Sequence, residues 1–596
     1  MKRIIMFAMT LAFFPPAANA QTNVLFDAMK DELARSMKEL KLENDPGPYY
    51  ISYLLTDIYI LQIQADSGAV VTNDENRIRT LKADVRVGNY ARDNSNFLSM
   101  STPDALANSI SSLNQISVDD DYDAVRRQIW QATDRAYKTA VDTLNRKNAA
   151  LQNTAPADRQ PDFTKGNATV SISNANTFDV SRAEWEDRVN SIAGLLLRDR
   201  NILRSRVTLQ IQIANTWYVN SEGAETLEPS SLTRMAITVS SRAENGMPVD
   251  NYRVYTTARP EGLPDQKSVE ADVTALISGL NAVRTASVGE EYAGPVLFEG
   301  ESAGELFVQG IVEFLKGSRV SDADNPQITA LLNQSANPLI NRVNARVAAN
   351  FLSIKAVPTM KRYGQKELAG AYTVDDEGVP AQDVSLVENG ILKNLLMSRT
   401  PVRGMEASNG HGRGGTVTPG VIQVISENKK PYDQLKQDLI EAFKEEGLAY
   451  GYIIRGLPSL NESLGGNEAD AIQMLLGQGQ PEPGQFKLTR PYSIFRLYPD
   501  GREEQVRGLE IGVVNVSALR NVLATSDDET VYNFQADPVS LSGGLGGILL
   551  QLVASGIPGR GNAATIITPS LLINGINLKK TAGVYPKLPA VDSPIR

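Results

Sequence analysis

The sequence contains no cysteine and only one histidine, His411, among its 596 residues. Without cysteine the chain has no disulfide bond, no thiolate nucleophile and no sulfur ligand for a metal ion. A Ser-His-Asp triad would have to use His411, but the nearby Ser408 is too close in sequence for the usual geometry of such a triad. The stretch SNGHGRGG around His411 instead predicts a tight turn with an exposed histidine.

The chain also lacks a block of basic residues. It carries 59 Lys and Arg against 69 Asp and Glu, which gives a formal net charge of −10. Binding to a nucleic-acid backbone depends on clustered positive charge that neutralises the phosphates. The charge pattern therefore argues against nucleic acid as a partner. With 42% hydrophobic and 21% charged residues, the composition is that of a globular protein long enough for more than one core.

No apolar run in the sequence is long enough to span a bilayer, which takes about 20 residues in a helix. The apolar run at residues 4–14 follows two basic residues and precedes the small residues Ala18, Asn19 and Ala20. This is the pattern of a cleavable signal peptide. We expect cleavage after Ala20, so that residues 1–20 are removed and the mature protein is periplasmic or secreted.

Hydrophobic periodicity indicates an α+β chain of two main domains. Residues 21–290 combine helical patterns with alternating, strand-like segments, and we expect a domain of one sheet with helices there. Within it, a helical insertion is predicted at about residues 102–204. Residues 291–596 are rich in strand patterns and contain one clear helical segment, at residues 432–446. We therefore expect a second domain that is rich in β-structure.

Local signals refine this outline of the first domain. Ser181 followed by Glu184 predicts a capping box at the start of a helix. Alternation predicts a strand at residues 206–223, with Val207, Leu209, Ile211 and Ile213 on one face. The tryptophans lie on faces that we expect to be buried, and they are Trp130, Trp185 and Trp217.

Two clusters of carboxylates are candidates for chemistry. The first lies in the stretch GPVLFEGESAGELFVQG at residues 294–310 and consists of Glu299, Glu301 and Glu305. The second occupies a DDEG turn and consists of Asp375, Asp376 and Glu377. Glu301 and Glu305 share a face if their segment is helical, and such oxygen ligands suit calcium or magnesium. Acidic residues are also expected at a helix start and in a turn, and we favour that interpretation.

Several separated segments resemble the TldD/PmbA family, whose members are related to zinc metallopeptidases. They are the DDEGVP turn with the ENGILK hairpin at residues 368–396, the SNGHGR loop at 408–413, the hairpin segment at 492–528 and the closing segment at 555–578. Upstream, PYYISYLLTD and ADVRVGNY are similar to the amino-terminal domain of that family. The pieces keep their order and spacing over about 300 residues, so the probability that they agree by chance is very small. The resemblance implies an α+β fold of the TldD/PmbA type.

In the zinc-bearing branch of this family a helix carries the pattern HExxxH, and a later cysteine completes the metal site. Aligned on this chain, the two histidine positions are Phe298 and Ala303, and the cysteine position is Pro558 in GIPG. The glutamate that activates water in that branch is retained as Glu299. The resemblance therefore implies that Glu299 is a general-base position without its metal, and that this chain needs no cofactor of its own. Zinc would enter such a site only with ligands from a partner subunit.

The resemblance also implies a function. Members of the PmbA (TldE) branch lack HExxxH and pair with a zinc-bearing TldD-like subunit that cuts peptides or unfolded protein. Our first hypothesis is that this chain is such a metal-free, non-catalytic partner of a TldD-like homologue, or that it forms a dimer with itself. In that hypothesis a substrate strand is expected to add to a sheet edge. Two alternatives stay open: a stand-alone peptide-binding protein, and a metal-dependent hydrolase that uses Glu299 with a non-family metal site.

Overall fold

The computed structural model describes residues 18–98, 113–152, 160–325, 327, 336–459, 462, 482–536, 562–581, 583 and 585. Residues 1–17 of the predicted signal peptide, the aligned position Pro558 and residues 102–112 and 153–159 of the predicted insertion lie outside these segments. The structure is α+β, as predicted, with two large sheets and helices packed against them.

In the described residues the first sheet has eight strands, all before residue 258. The strands of this part of the chain are β1 (Pro48–Asp66), β2 (Ala69–Asn89), β3 (Arg92–Asp93), β4 (Phe97–Leu98), β5 (Leu113–Ile116), β6 (Val170–Ile172), β7 (Arg204–Asn220), β8 (Glu225–Arg242) and β9 (Pro248–Thr257). The order is β3-β2-β1-β7-β8-β6, with β5 paired to β2 and β9 paired to β8. Neighbouring strands are antiparallel, except that β6 runs parallel to β8.

Helices cover one face of this sheet. They are α1 (Ala18–Glu39), α2 (Tyr122–Ala150), α3 (Arg182–Leu196) and α4 (Gln266–Thr285). The residues predicted to share a face of β7 are all buried against α3 and α4, and they are Val207, Leu209, Ile211 and Ile213. The other half of the same face packs against α1 and α2. The described part of the predicted insertion therefore adds α2 and α3 to the layer that covers the sheet.

Some local predictions about this layer are wrong. Ser181 occupies the N-cap position of α3, but its side chain accepts no capping hydrogen bond. Trp130 is 48% exposed, because each helical residue turns by about 100° and the buried stripe of α2 runs through its neighbour Ile129 instead. Trp217 is buried and Trp185 packs half-buried against a core, as predicted.

In the described residues the second sheet has thirteen strands. The strands of this part of the chain are β10 (Ser287–Val288), β11 (Tyr292–Phe298), β12 (Asp322–Ala323), β13 (Leu352–Ala356), β14 (Arg362–Tyr363), β15 (Lys366–Glu367), β16 (Val384–Glu388), β17 (Ile391–Leu392), β18 (Gly412–Arg413), β19 (Thr416–Val417), β20 (Val421–Ser426), β21 (Lys429–Lys430), β22 (Gly451–Gly456), β23 (Gln485–Phe486), β24 (Ser493–Leu497), β25 (Glu503–Arg507), β26 (Leu509–Ile511), β27 (Val514–Asn515), β28 (Val522–Ala536) and β29 (Asn562–Lys580). Its main order is β10-β25-β24-β22-β11-β29-β20-β13-β16-β17. Strand β29 is central and also pairs with β26 and β28.

Strand β11 separates two cores of the second sheet. Its Val296 and Phe298 face the main core, whereas Leu297 faces helix α7 (Tyr432–Glu445), which was predicted at residues 432–446. Helix α5 (Glu301–Leu306) follows β11 and continues through the π-helical turn Phe307–Ile311 into α6 (Val312–Phe314).

Contacts cross between the two parts of the chain, for example where β4 pairs with β12. The predicted division into domains at residue 290 stays a prediction. None of the helices in the described ranges is long and apolar enough to cross a membrane.

Candidate functional site

The segment aligned with a zinc helix is only partly helical. Strand β11 ends at Phe298, Gly300 has a positive φ of 54°, and α5 starts at Glu301. Phe298 and Ala303 are both 0% exposed and belong to the main core of the second sheet. A phenyl ring and a methyl group offer no lone pair to a metal ion, so the residues at both histidine positions do not fit zinc. The third position, Pro558, lies outside the described residues.

Glu299 does not point toward those two positions. Side chains alternate along β11, and Glu299 continues on the side of Leu297, opposite Phe298. There its carboxylate accepts hydrogen bonds from Nε of Arg455, at 2.7 Å, and from the hydroxyl of Tyr432 in α7. The retained glutamate is therefore held in an ion pair. A catalytic role for Glu299 stays a prediction.

The two other glutamates of this segment have different environments. Glu301 is exposed at the first position of α5, whereas Glu305 is only 2% exposed. The carboxyl of Glu305 accepts hydrogen bonds from the hydroxyl of Tyr532 and from Nε2 of Gln309, the latter at 2.7 Å. Burial raises the pKa of Glu305 to about 7, although both hydrogen bonds oppose the rise. Glu305 is thus a buried acid that titrates near neutral pH, which the helix-start interpretation did not predict.

Small residues allow this arrangement. A Cβ atom on Gly304 would lie 3.1 Å from the ring of Tyr532, so the glycine lets the tyrosine reach across the helix to Glu305. Gln309 lies in the π-helical turn, and turns of this kind occur often at functional sites. Its amide also donates to the carbonyl oxygen of Pro458 at 2.9 Å and accepts from the backbone N–H of Thr489 at 2.8 Å. Gln309 therefore ties two distant backbone segments to the buried acid.

The carboxylates of the DDEG turn accept hydrogen bonds from backbone N–H groups. Asp375 accepts from three backbone N–H groups at 2.8 to 3.0 Å, those of Glu377, Val379 and Gly412. Asp376 and Glu377 each accept one further backbone N–H at 2.6 Å. These bonds support the turn interpretation. Within the described ranges, no three His, Cys, Asp or Glu side chains are grouped closely enough to hold a metal ion.

His411 is completely buried, so the prediction of an exposed histidine is wrong. Its Nδ1 lies 2.9 Å from Oδ1 of Asn409, and its ring meets the ring of Tyr372 edge-on at 6.2 Å between centroids. Burial lowers the pKa of His411 to about 4, so the ring is neutral at neutral pH. The flanking glycines pack closely instead of opening the loop: a Cβ on Gly410 would lie 2.4 Å from the carbonyl oxygen of Pro380.

A cleft between the two sheets was not predicted from the sequence. It lies between β9 on one side and the start of β24 with the end of β25 on the other, and its polar lining consists of Asp250, Tyr252, Arg490, Tyr492, Arg507 and Thr581. These residues come from distant parts of the chain and match no local motif. Arg490 and Tyr492 follow Thr489, the residue that Gln309 holds.

Comparison with known proteins places this geometry in context. Residues 290–461 match the family model of the PmbA/TldA metallopeptidase C-terminal domain. A metalloprotease of Methanocaldococcus jannaschii is 28% identical over 151 residues, which are 25% of this chain and 30% of that protein. A metalloprotease of Archaeoglobus fulgidus is 25% identical over 190 residues, 32% of this chain and 38% of that protein. The match thus spans well under half the length of these curated relatives.

Solved structures extend the likeness over most of the chain. A candidate modulator of DNA gyrase from Thermotoga maritima has a TM-score of 0.56 at 14% identity and covers 93% of this chain and 100% of its own. TldE from Thermococcus kodakarensis has a TM-score of 0.53 at 14% identity and covers 92% and 99%. At these identities the likeness shows a shared α+β fold.

Proposed function

Because this chain belongs to the TldD/PmbA family, which is related to metallopeptidases, we propose that it is the metal-free, non-catalytic partner of a TldD-like zinc peptidase. In this proposal the other subunit supplies the zinc and its bound water. This chain contributes part of the cavity wall and a surface that holds peptides or unfolded protein. The other subunit is a TldD-like homologue or, in a self-associating form, a second copy.

One observation carries the proposal. Glu299 lies on the opposite side of β11 from Phe298, and both Phe298 and Ala303 are sealed in the core. A water-activating glutamate has to face the same metal as the ligands beside it. Here the glutamate pairs with Arg455 instead, at 2.7 Å. The local backbone therefore suits a supporting role better than a catalytic one.

Peptide binding is proposed at a sheet edge. Strand β9 pairs with β8 along one edge, and no strand of the described residues pairs with its other edge. Nine of its ten residues are half-buried, which is the exposure expected of a strand that borders a cleft. An added peptide strand would satisfy the backbone groups of such an edge.

We also propose export, on the strength of the predicted signal peptide alone. Cleavage after Ala20 would leave a mature chain that starts at Gln21, within the first turn of α1. Mass spectrometry of the protein recovered from the cell envelope of a Gram-negative host tests this directly. An unprocessed amino terminus in the cytoplasm would contradict it.

The partner role is tested by mixing. The mature chain and a homologue that retains HExxxH are purified separately, combined, and assayed for co-elution and for cleavage of an unfolded protein. We expect activity only in the mixture, and loss of that activity when a zinc-binding histidine of the homologue is replaced by alanine. Cleavage by this chain alone that disappears in Glu299→Gln would instead establish the hydrolase alternative. Peptide binding without any complex would establish the stand-alone binding protein.

A further inference from the structure

We infer that the cleft between the two sheets is a binding site for the carboxylate group of a peptide, with Arg490 as its main charged contact. The inference rests on the proposed role in handling peptides and names the group that this chain recognises. The cleft brings together residues of β9 from the first sheet and residues 490–492 and 506–508 from the second part of the chain. A ligand in it therefore touches both halves of the molecule.

Arg490 is the first reason for this assignment. Its side chain lines the cleft and is half-buried, yet it makes no hydrogen bond or ion pair with any of the described residues. A guanidinium group presents several N–H donors in a planar fork that matches the two oxygens of a carboxylate. Arg253, which also belongs to β9, is in contrast already paired with Asp272 at 3.1 Å. Arg490 is thus available for an anion.

Further donors in the same cleft lack acceptors. Nε of Arg507 and the hydroxyl of Thr581 are both buried and have no hydrogen-bond partner in the described part of the chain. A buried donor without a partner costs free energy, so a ligand that offers acceptor oxygens would be favoured here. Tyr252 adds a phenol that stays protonated, because burial and the nearby Asp250 raise its pKa. The cleft therefore offers mainly donors.

The remaining lining defines the kind of anion. Asp250 is the acidic residue of the cleft, and its charge disfavours a ligand with two negative charges more than a ligand with one. The rings of Tyr252 and Tyr492 meet edge-to-face with centroids 5.1 Å apart. Prolines complete the walls, namely Pro248, Pro458 and Pro491. These apolar, rigid surfaces suit the hydrocarbon and backbone of a peptide, so we assign a peptide carboxylate rather than a free phosphate.

The site is also preorganised. Gln309 accepts a hydrogen bond from the backbone of Thr489, next to Arg490, and donates one to the carbonyl of Pro458 on another wall of the cleft. The ring of Tyr492 lies against Gly456, where a Cβ atom would come within 2.4 Å of it. Since the walls are held before the ligand arrives, less ordering is required on binding.

Binding of labelled peptides to this chain alone tests the inference. Fluorescence anisotropy is measured with a fluorescein-labelled alanine pentapeptide that ends in a free carboxylate, and with the same peptide as its carboxyl-terminal amide. We expect the free acid to bind roughly tenfold or more tightly than the amide, the size expected for a charge-assisted hydrogen bond. An amidated peptide with one internal aspartate separates the two sources of carboxylate. If the aspartate peptide binds as tightly as the free acid, the site binds a side-chain carboxylate. If the aspartate peptide binds like the plain amide, the site binds the carboxyl terminus.

Variants of two arginines complete the test. Arg490→Gln should abolish the difference between acid and amide, and Arg490→Lys should retain part of it. Arg520→Gln is the matched control, because Arg520 is exposed and lies outside the cleft. The inference is overturned if acid and amide bind equally or not at all, if Arg490→Gln keeps the difference, or if inorganic phosphate displaces the peptide where equimolar acetate does not. No peptidase enters the assay, so its failure is distinct from failure of the partner role.

Discussion

Arg399 and Glu222 form an ion pair that is almost completely buried where the two parts of the chain meet. Nη2 of Arg399 lies 2.7 Å from Oε2 of Glu222, and the two side chains are 1% and 7% exposed. The guanidinium also donates to the carbonyl of Thr164 and lies 4.0 Å from the ring centre of Phe163. Arg399, from the second part of the chain, thus packs among residues of the first part that pair with its charge.

Replacing Arg399 tests how much this contact stabilises the fold. Arg399→Met should lower the free energy of unfolding by about 3 to 5 kcal/mol, because it leaves Glu222 buried without a counter-charge. Urea denaturation measures the loss. The double variant Arg399→Met with Glu222→Gln should recover part of it, since no unpaired charge is then buried. Equal stability of the single and double variants would contradict this explanation.

Glu305 predicts a dependence of stability on pH. The folded pKa of about 7 lies above the ordinary value of 4.5, so the folded state binds more protons than the unfolded state between these values. The contribution of Glu305 to stability is therefore complete below about pH 4.5, decreases as the pH rises, and is lost above about pH 7, with a total loss of about 3 kcal/mol.

Glu305→Gln should remove the part of the pH dependence that comes from Glu305, because the amide resembles the protonated acid and never ionises. Urea denaturation at several pH values compares the two proteins. Glu510→Gln, an exposed position, serves as control and should keep the slope of the unmodified chain. A Glu305→Gln variant with an unchanged slope would show that another group titrates in this range.

His411 predicts a second, opposite effect at lower pH. Its pKa of about 4 lies below the ordinary value of 6.5, so the unfolded state binds more protons between these values. The contribution of His411 to stability is complete above about pH 6.5 and is lost as the pH falls toward 4. Because the chain has one histidine, its imidazole signal in a proton NMR spectrum needs no assignment. Titration of that signal near pH 6.5 in the folded protein would refute the buried, neutral state.

Substitution of Glu299 distinguishes a structural role of this residue from a catalytic one. Glu299→Gln removes a partly exposed ion pair with Arg455 and should lower stability by about 1 kcal/mol or less. Peptidase activity of a mixture with a zinc-bearing homologue should stay unchanged. Arg455→Met breaks the same pair and also the pair of Arg455 with Glu503 at 2.7 Å, so it is the matched variant for activity, which should stay unchanged as well. Loss of activity in Glu299→Gln but not in Arg455→Met would identify Glu299 as a general base.

Local periodicity was sufficient to predict some of the regular elements. The alternation of Val207, Leu209, Ile211 and Ile213 and the helix at Tyr432–Glu445 are confirmed, because each element buries a face that recurs along its own sequence. The failures involve burial by distant segments. Glu305 resembles an exposed helix-start residue, yet it is covered by Tyr532, 227 residues later in the chain.

By itself the sequence determined that this chain holds no His, His, Cys zinc site of its own, since one histidine and no cysteine exclude that ligand set in any fold. The resemblance to the TldD/PmbA family implied which residues stand at the aligned positions. Only the tertiary structure decided where Glu299 points, that His411 is buried, and that Arg490 meets Tyr252 in a cleft. The physical reason is that direction and burial depend on contacts between segments that are remote in sequence, which no local pattern records.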